Sequence, residues 1–206
     1  MDKKHQEMLE YVKDYFHTHT HHTSGANYAF RNKLDHTIRV TMWVERICKG
    51  EGVDPDIPVT SAIFHDIGYN ISREDHPKYS EILAREYLEN HHFPKEYVDE
   101  ACKIIGLHGN KSLLVPQSPI GLIILLEADN IDEKGALCVL RDGMSEGNRP
   151  REEQSYLNTY KRLKFYAVKD TNNIMVTKTG DAIWKEHIRV LNAFVESLEY
   201  DLGIGE

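Results

Sequence analysis

This sequence predicts an all-α fold, on three observations. Apolar residues recur at three- and four-residue spacing in nearly every segment. Prolines stand at segment starts (Pro58, Pro77, Pro94, Pro119) and glycines at segment ends (Gly50, Gly52, Gly68). Only TNNIMVT at 171–177 reads as a strand, and it is too short to build a sheet. In order along the chain, Leu9, Val12 and Phe16 share a stripe in the amphipathic opening stretch. Leu34, Ile38 and the 44–47 region continue the pattern in a second segment that runs out at Gly50 and Gly52. Pro58 opens the third, VTSAIFHDIG, which stops at Gly68 as a helix with a glycine C-cap would. The fourth follows Pro77, with Ile82, Leu83, Tyr87 and Leu88 spaced for one face, and the fifth follows Pro94 as EYVDEACKIIGLH. The sixth is one long run from about Pro119 to Arg141. The seventh, 151–169, is highly charged with a Tyr/Leu/Phe stripe. The eighth, 180–201, places Ile183, Trp184, Ile188, Leu191, Val195 and Leu198 at helical spacing. The expectation is one domain of about eight helices over 1–206, without repeats or a linker.

Composition narrows the class. A chain of 206 residues with 40% hydrophobic content can bury one sizeable core. With 25 Lys and Arg against 33 Asp and Glu, the net charge of −8 argues against extended nucleic-acid binding, which needs a basic footprint. The three cysteines, Cys48, Cys102 and Cys138, are odd in number and far apart. That pattern fits neither a disulfide framework nor a zinc CxxC site and suits a reducing cytoplasm. No stretch approaches the roughly 18 apolar residues of a membrane span.

Against this background a few residues stand out. SAIFHDIGYN at 61–70 is an apolar run that ends in His65 and Asp66. Burying even a neutral polar group without a partner costs roughly 2 to 7 kcal/mol, so a buried carboxylate there demands compensation. His36, in LDHTIRV, has Arg39 one turn on, and GLIILLEADNID runs five apolar residues into Glu127, Asp129 and Asp132. Taken singly, His36 reads as a structural helix histidine and the acidic trio as a solvated patch. Their order along the chain, His, then His-Asp, then Asp, gives them weight. The cluster His17, His19, His21 and His22 reads as a solvated helix end: in a helix only His17 and His21 share a face, and no carboxylate or cysteine sits among them.

His36, His65-Asp66 and Asp129, with gaps of 29 from His36 to His65 and 63 from Asp66 to Asp129, resemble the HD superfamily of metal-dependent phosphohydrolases. HTIRV looks like the first HxxRV element, AIFHDIG like the HD element, IIGLHG like the helix ending in a further histidine, and EADNIDEKGA like the final AD element. The likeness spans roughly residues 25–145, and the tail, NIMVTKTGDAIW through AFVESL, is similar to the ending of small bacterial HD hydrolases.

The resemblance implies an all-helical domain in which His36, His65, Asp66 and Asp129 converge on one divalent cation. Mixed imidazole and carboxylate donors suit Mn²⁺, Fe²⁺, Ni²⁺ or Zn²⁺ better than Ca²⁺ or Mg²⁺, with magnesium still admissible. It further implies hydrolysis of a phosphate ester or anhydride, in this branch of the superfamily that of a nucleotide, by an activated water that Asp66 orients. His76, in EDHPKYS, and His108 are candidates for proton donation to the leaving group or for a second ion. Where many superfamily members read HDIGK, Tyr69 follows Gly68, so a lysine often used near the phosphate is missing; Arg39, Arg141 and Lys161 are substitute candidates. Two other readings stand beside hydrolysis: a nucleotide-sensing module without turnover, and a di-iron oxygenase, which requires a second filled metal site.

Overall fold

The computed structural model of the chain describes residues 1–19 and 32–204, and among these the architecture is nine α-helices with short 3-10 turns and no strand. The chain divides into two compact units, Met1–Asp129 and Asn130–Glu206.

The first unit holds α1 (Lys3–Thr18), α2 (Lys33–Glu51), α3 (Asp56–Phe64), α4 (His76–Asn90), α5 (Lys95–Leu107) and most of α6 (Ile120–Ile131). Asn32 starts α2 by accepting the Asp35 N–H at 2.7 Å, and Gly52 ends it in the left-handed region at φ 68°, where a side chain would be strained. Helix α3 is the centre of this unit. Every residue from Pro58 to Phe64 is buried, and α1, α2 and α5 pack around it. Val59, Ile63 and Phe64 each contribute about 1.5–3 kcal/mol of apolar burial, so α3 is fixed in place before any polar residue is considered. The inward faces of α2 and α4 hold the expected Val44, Ile47, Tyr87 and Leu88 together with Thr37, Val40 and Ala84, whereas Ile38 and Ile82 stand 43% and 51% exposed.

The second unit is α7 (Ala136–Gly147), α8 (Tyr156–Thr171) and α9 (Lys178–Asp201) around Cys138, Tyr160, Leu163, Ala167, Leu191 and Val195. Its polar keystone is Arg162. The guanidinium donates to both oxygens of Asp142 at 2.8 and 2.9 Å and to Glu146 at 2.7 Å, where both carboxylates are buried.

Three expectations are corrected. The single long run of 119–141 is two helices, α6 and α7, because Glu133 and Gly135 both take positive φ, 60° and 59°, and break the hydrogen-bond ladder. A Cβ at Gly135 would stand 3.2 Å from the His187 Cα, so that turn also needs glycine for space. The 171–177 stretch is not a strand: Thr171 closes α8, Met175 is buried, and Thr177 caps α9 through the Gly180 N–H at 2.9 Å. Gly68 is not a C-cap. Helix α3 ends at Phe64, and Gly68 lies buried in the 3-10 helix Ile67–Asn70. None of the described helices is long and apolar enough to cross a membrane, and all three cysteines are free and buried.

Candidate metal centre

The chain stays helical through His65 (φ −55°, ψ −35°) before Asp66 (φ −110°, ψ 3°) turns it into the Ile67–Asn70 helix. Two adjacent polar side chains are thereby carried into the interior, His65 at 1% and Asp66 at 2% exposure. Gly68 brings the next partner. Its N–H donates to Ser80 Oγ at 2.9 Å, and a Cβ there would stand 2.5 Å from the Ser80 nitrogen and 2.6 Å from the His76 carbonyl. The first turn of α4 therefore rests on this turn, which delivers His76 to Asp66. His108 arrives from the C-terminus of α5, His36 from the first turns of α2 and Asp129 from the last turn of α6.

Asp66 divides its two oxygens between two histidine pairs. Oδ2 faces His36 Nε2 at 3.4 Å and His65 Nε2 at 3.5 Å, and those nitrogens are 3.3 Å apart. Oδ1 faces His76 Nε2 at 3.2 Å and His108 Nε2 at 3.7 Å, themselves 3.1 Å apart. Asp129 stands beside the first group through His36, its Oδ1 3.2 Å from His36 Nε2, and is not one of the three donors that lie within mutual ligating distance.

The residues fit divalent cations. A carbonyl can only accept, so Nδ1 of His65, His76 and His108 must carry the proton it donates to the carbonyls of Ala62 (2.7 Å), Arg73 (2.8 Å) and Ile105 (2.6 Å). Each ring then turns an Nε2 lone pair inward, as ligating histidines do when the outer nitrogen is tied. Lone pairs facing across 3.1 Å, as between His76 and His108, repel unless a cation or a proton lies between them. Burial disfavours the proton. It pushes His65 down to about 3 and lowers His76, in both cases against the pull of Asp66. Donors at about 2.1 Å from an ion are spaced by about 3.0–3.4 Å from one another, close to the separations here. The groups His36–His65–Asp66 and Asp66–His76–His108 thus both have the chemistry and spacing to hold a metal, with Asp66 common to the two.

Both carboxylates are anions at neutral pH. Burial alone would raise the Asp66 carboxyl, but it is held well below the ordinary range; with the facing His65 and His108 rings neutral, the Lys33 ammonium at 2.6 Å is the charge that opposes burial. For Asp129 burial is likewise overcome, by the His36 contact and the Lys111 ammonium.

The sequence reading missed Lys33 and Lys111. Lys33 Nζ lies 2.6 Å from Asp66 Oδ2 and 4.1 Å from the centre of the Tyr69 ring, and Lys111 pairs with Asp129 Oδ2. Lys33 stands one turn before His36, the only signal that could have found it; Lys111 carries none. Of the predicted substrate residues, Arg39 is half-buried on α2 one turn beyond His36. Arg141 and Lys161 belong to the second unit, where Arg141 pairs with Glu133 at 2.5 Å and Lys161 is an exposed residue of α8. Glu127 is fully buried, and His21 and His22 lie outside the described residues.

Residues 33–134 match the family model of the HD domain, an interval that contains all six histidine and aspartate donors. No curated protein sequence matches the chain. Among solved structures, an HD-superfamily hydrolase from Bacillus thuringiensis aligns at 20% identity and a TM-score of 0.68, covering 98% of this chain and 97% of that one. A predicted HD superfamily hydrolase from an uncultured Thermotogales bacterium aligns at 19% identity and a TM-score of 0.66, covering 96% and 92%. Bacillus subtilis YpgQ, solved in complex with ADP, aligns at 20% identity and a TM-score of 0.62, covering 96% and 97%. At these identities the likeness is one of fold.

Proposed function

From the premise that this chain belongs to the HD superfamily, we propose that it is a metal-dependent phosphohydrolase that cleaves a phosphate ester or anhydride of a nucleotide. One observation carries the reading: the buried Asp66 turns each of its oxygens to a separate pair of inward-facing histidine nitrogens. The ADP complex of the similarly folded YpgQ supports the choice of a nucleotide.

In this reading His36, His65, Asp66 and Asp129 hold one ion, and Asp66, His76 and His108 hold a second. When bound, the ions lower the pKa of water and offset charge on a phosphoryl group. The protein's own part is positioning. The carbonyls of Ala62, Arg73 and Ile105 keep three imidazoles in the Nδ1–H tautomer, so their Nε2 atoms need no reorganisation. Asp66, anionic and central, accepts a hydrogen bond from the attacking water and orients it. In this reading His76 and His108 serve as ligands of the second ion rather than as proton donors. Arg39, Arg141 and Lys161 are proposed as substrate contacts on charge alone.

The test is hydrolysis of nucleoside mono-, di- and triphosphates by the Mn²⁺-loaded chain, with phosphate and pyrophosphate both quantified. Release of either product by the wild type, and its loss in Asp66→Ala, is the expected result; no release from any substrate would overturn the reading. The Asp66–His76–His108 group also suits a di-iron oxygenase. Oxygen uptake by the iron-loaded protein without phosphate release would select that alternative.

A further inference from the structure

Lys33 and Lys111 are brought to the two anionic side chains of the centre by different elements, the first residue of α2 and the 3-10 helix Lys111–Leu113. They occupy oxygens that matter. Lys33 sits on Asp66 Oδ2, the oxygen that also faces His36 and His65, and Lys111 sits on Asp129 Oδ2 while Oδ1 of that residue faces His36. The ring of Tyr69 lies under the Lys33 ammonium at 4.1 Å and gives it a second resting place beside the carboxylate. Both lysines retain exposure, 30% and 45% of their side chains, and each reaches inward on a flexible four-carbon stem.

Charge counting says what they are for. With neutral histidines, Asp66 and Asp129 are balanced by Lys33 and Lys111. One divalent cation leaves the centre at +2 and two leave it at +4. The chain as a whole carries −8, so an anion gains nothing from its long-range field and must be drawn by this local excess. An ammonium and a divalent cation sharing Asp66 Oδ2 also repel each other, and the flexible partner is the one that yields. We propose that Lys33 and Lys111 are phosphate-gripping arms. Displaced from Asp66 and Asp129 when metal binds, they close on a substrate carrying two to four negative charges. This rests on the metal-dependent reading above and specifies its substrate as a polyanionic phosphate held by these two residues.

The test uses the full chain, Mn²⁺ and inorganic pyrophosphate as probes, with both affinities measured by titration calorimetry. Wild type is compared with Lys33→Met, Lys111→Met, the double variant and Lys33→Arg. Mn²⁺ should bind each Met variant about 5-fold tighter or more, since even in water like charges about 4 Å apart repel by about 1 kcal/mol per charge product. Pyrophosphate should bind the Mn²⁺-loaded Met variants roughly 10- to 100-fold weaker, the worth of a charged hydrogen bond, and Lys33→Arg should retain most of the affinity. Tighter Mn²⁺ with unchanged pyrophosphate binding overturns the gripping role, as does a wild type that binds Mn²⁺ but not pyrophosphate. Unchanged affinities for both probes show a plain surface ion pair and overturn the inference while leaving the metal centre intact. Failure of the wild type to bind Mn²⁺ overturns the metal-dependent reading and the inference together.

Discussion

Gly68→Ala is the substitution with the most geometric leverage on the centre. The added Cβ would meet the Ser80 nitrogen at 2.5 Å and the His76 carbonyl at 2.6 Å, both backbone atoms that no rotamer change can move, whereas ordinary contact begins near 3.4 Å. The first turn of α4 must therefore retreat by about 0.9 Å, the difference between 3.4 and 2.5. The retreat stretches the Gly68–Ser80 hydrogen bond and carries His76 away from Asp66 Oδ1, now 3.2 Å distant. Overpacking of this kind costs about 1–3 kcal/mol. For a chain of this size that is a fall in Tm of about 2–12 °C. A displacement near 1 Å at a reacting site lowers turnover by about 10²-fold. Thermal unfolding by circular dichroism and Mn²⁺-dependent phosphate release measure the two effects. Gly143→Ala is the control, because nothing lies within 4 Å of a Cβ there and the substitution favours the helix by about 0.5–1 kcal/mol. A Gly68→Ala protein with wild-type Tm and wild-type turnover would refute the close-approach role of this residue.

Three further outcomes are expected. Arg162→Met takes the shared cation from the buried Asp142 and Glu146, leaving Glu146 only its Ser155 N–H and Asn158 bonds, and should cost about 3 kcal/mol, the low end of the range for breaking a buried pair because Arg162 is itself a third exposed; an unchanged urea midpoint would contradict it. Although burial alone would raise Glu146, Arg162, the Ser155 N–H and Asn158 hold it below its ordinary 4.5. Its contribution to stability is therefore complete above that pH and is lost as pH falls through the depressed value, which acid titration of the unfolding midpoint in wild type and Arg162→Met resolves. Burial pushes the Cys48 and Cys102 thiols up to about 11 and raises Cys138 as well, so a thiol reagent at pH 8 should label none of the three until the chain unfolds; rapid labelling of the native protein would show that the packing around them is wrong.

The donors were legible because they violate their surroundings. His65 and Asp66 end an apolar run, Asp129 ends another, and a buried carboxylate without compensation is too costly to leave unexplained. Lys33 and Lys111 violate nothing: a lysine at a helix start or in a polar turn is what a solvated surface carries, and only the folded chain brings each to a carboxylate. Gly68 was legible as a special position but not as the right kind. A glycine that ends a helix and one that admits a neighbouring backbone are the same letter, and the difference lies in α4, which the local sequence does not show. The break between α6 and α7 was hidden because Glu133, a residue that rarely takes positive φ, supplies half of it while the apolar period runs on. In 171–177, Met175 and Thr177 are buried as anchors of a helix connection rather than as one face of a strand.

Elemental analysis of the Mn²⁺-loaded protein tests the central claim most directly, because Asp66 is the only residue common to both donor groups. The account predicts about two ions per chain in the wild type, about one in His108→Ala, and none in Asp66→Ala with the fold intact by circular dichroism. An Asp66→Ala protein that retains the wild-type ion count would contradict it.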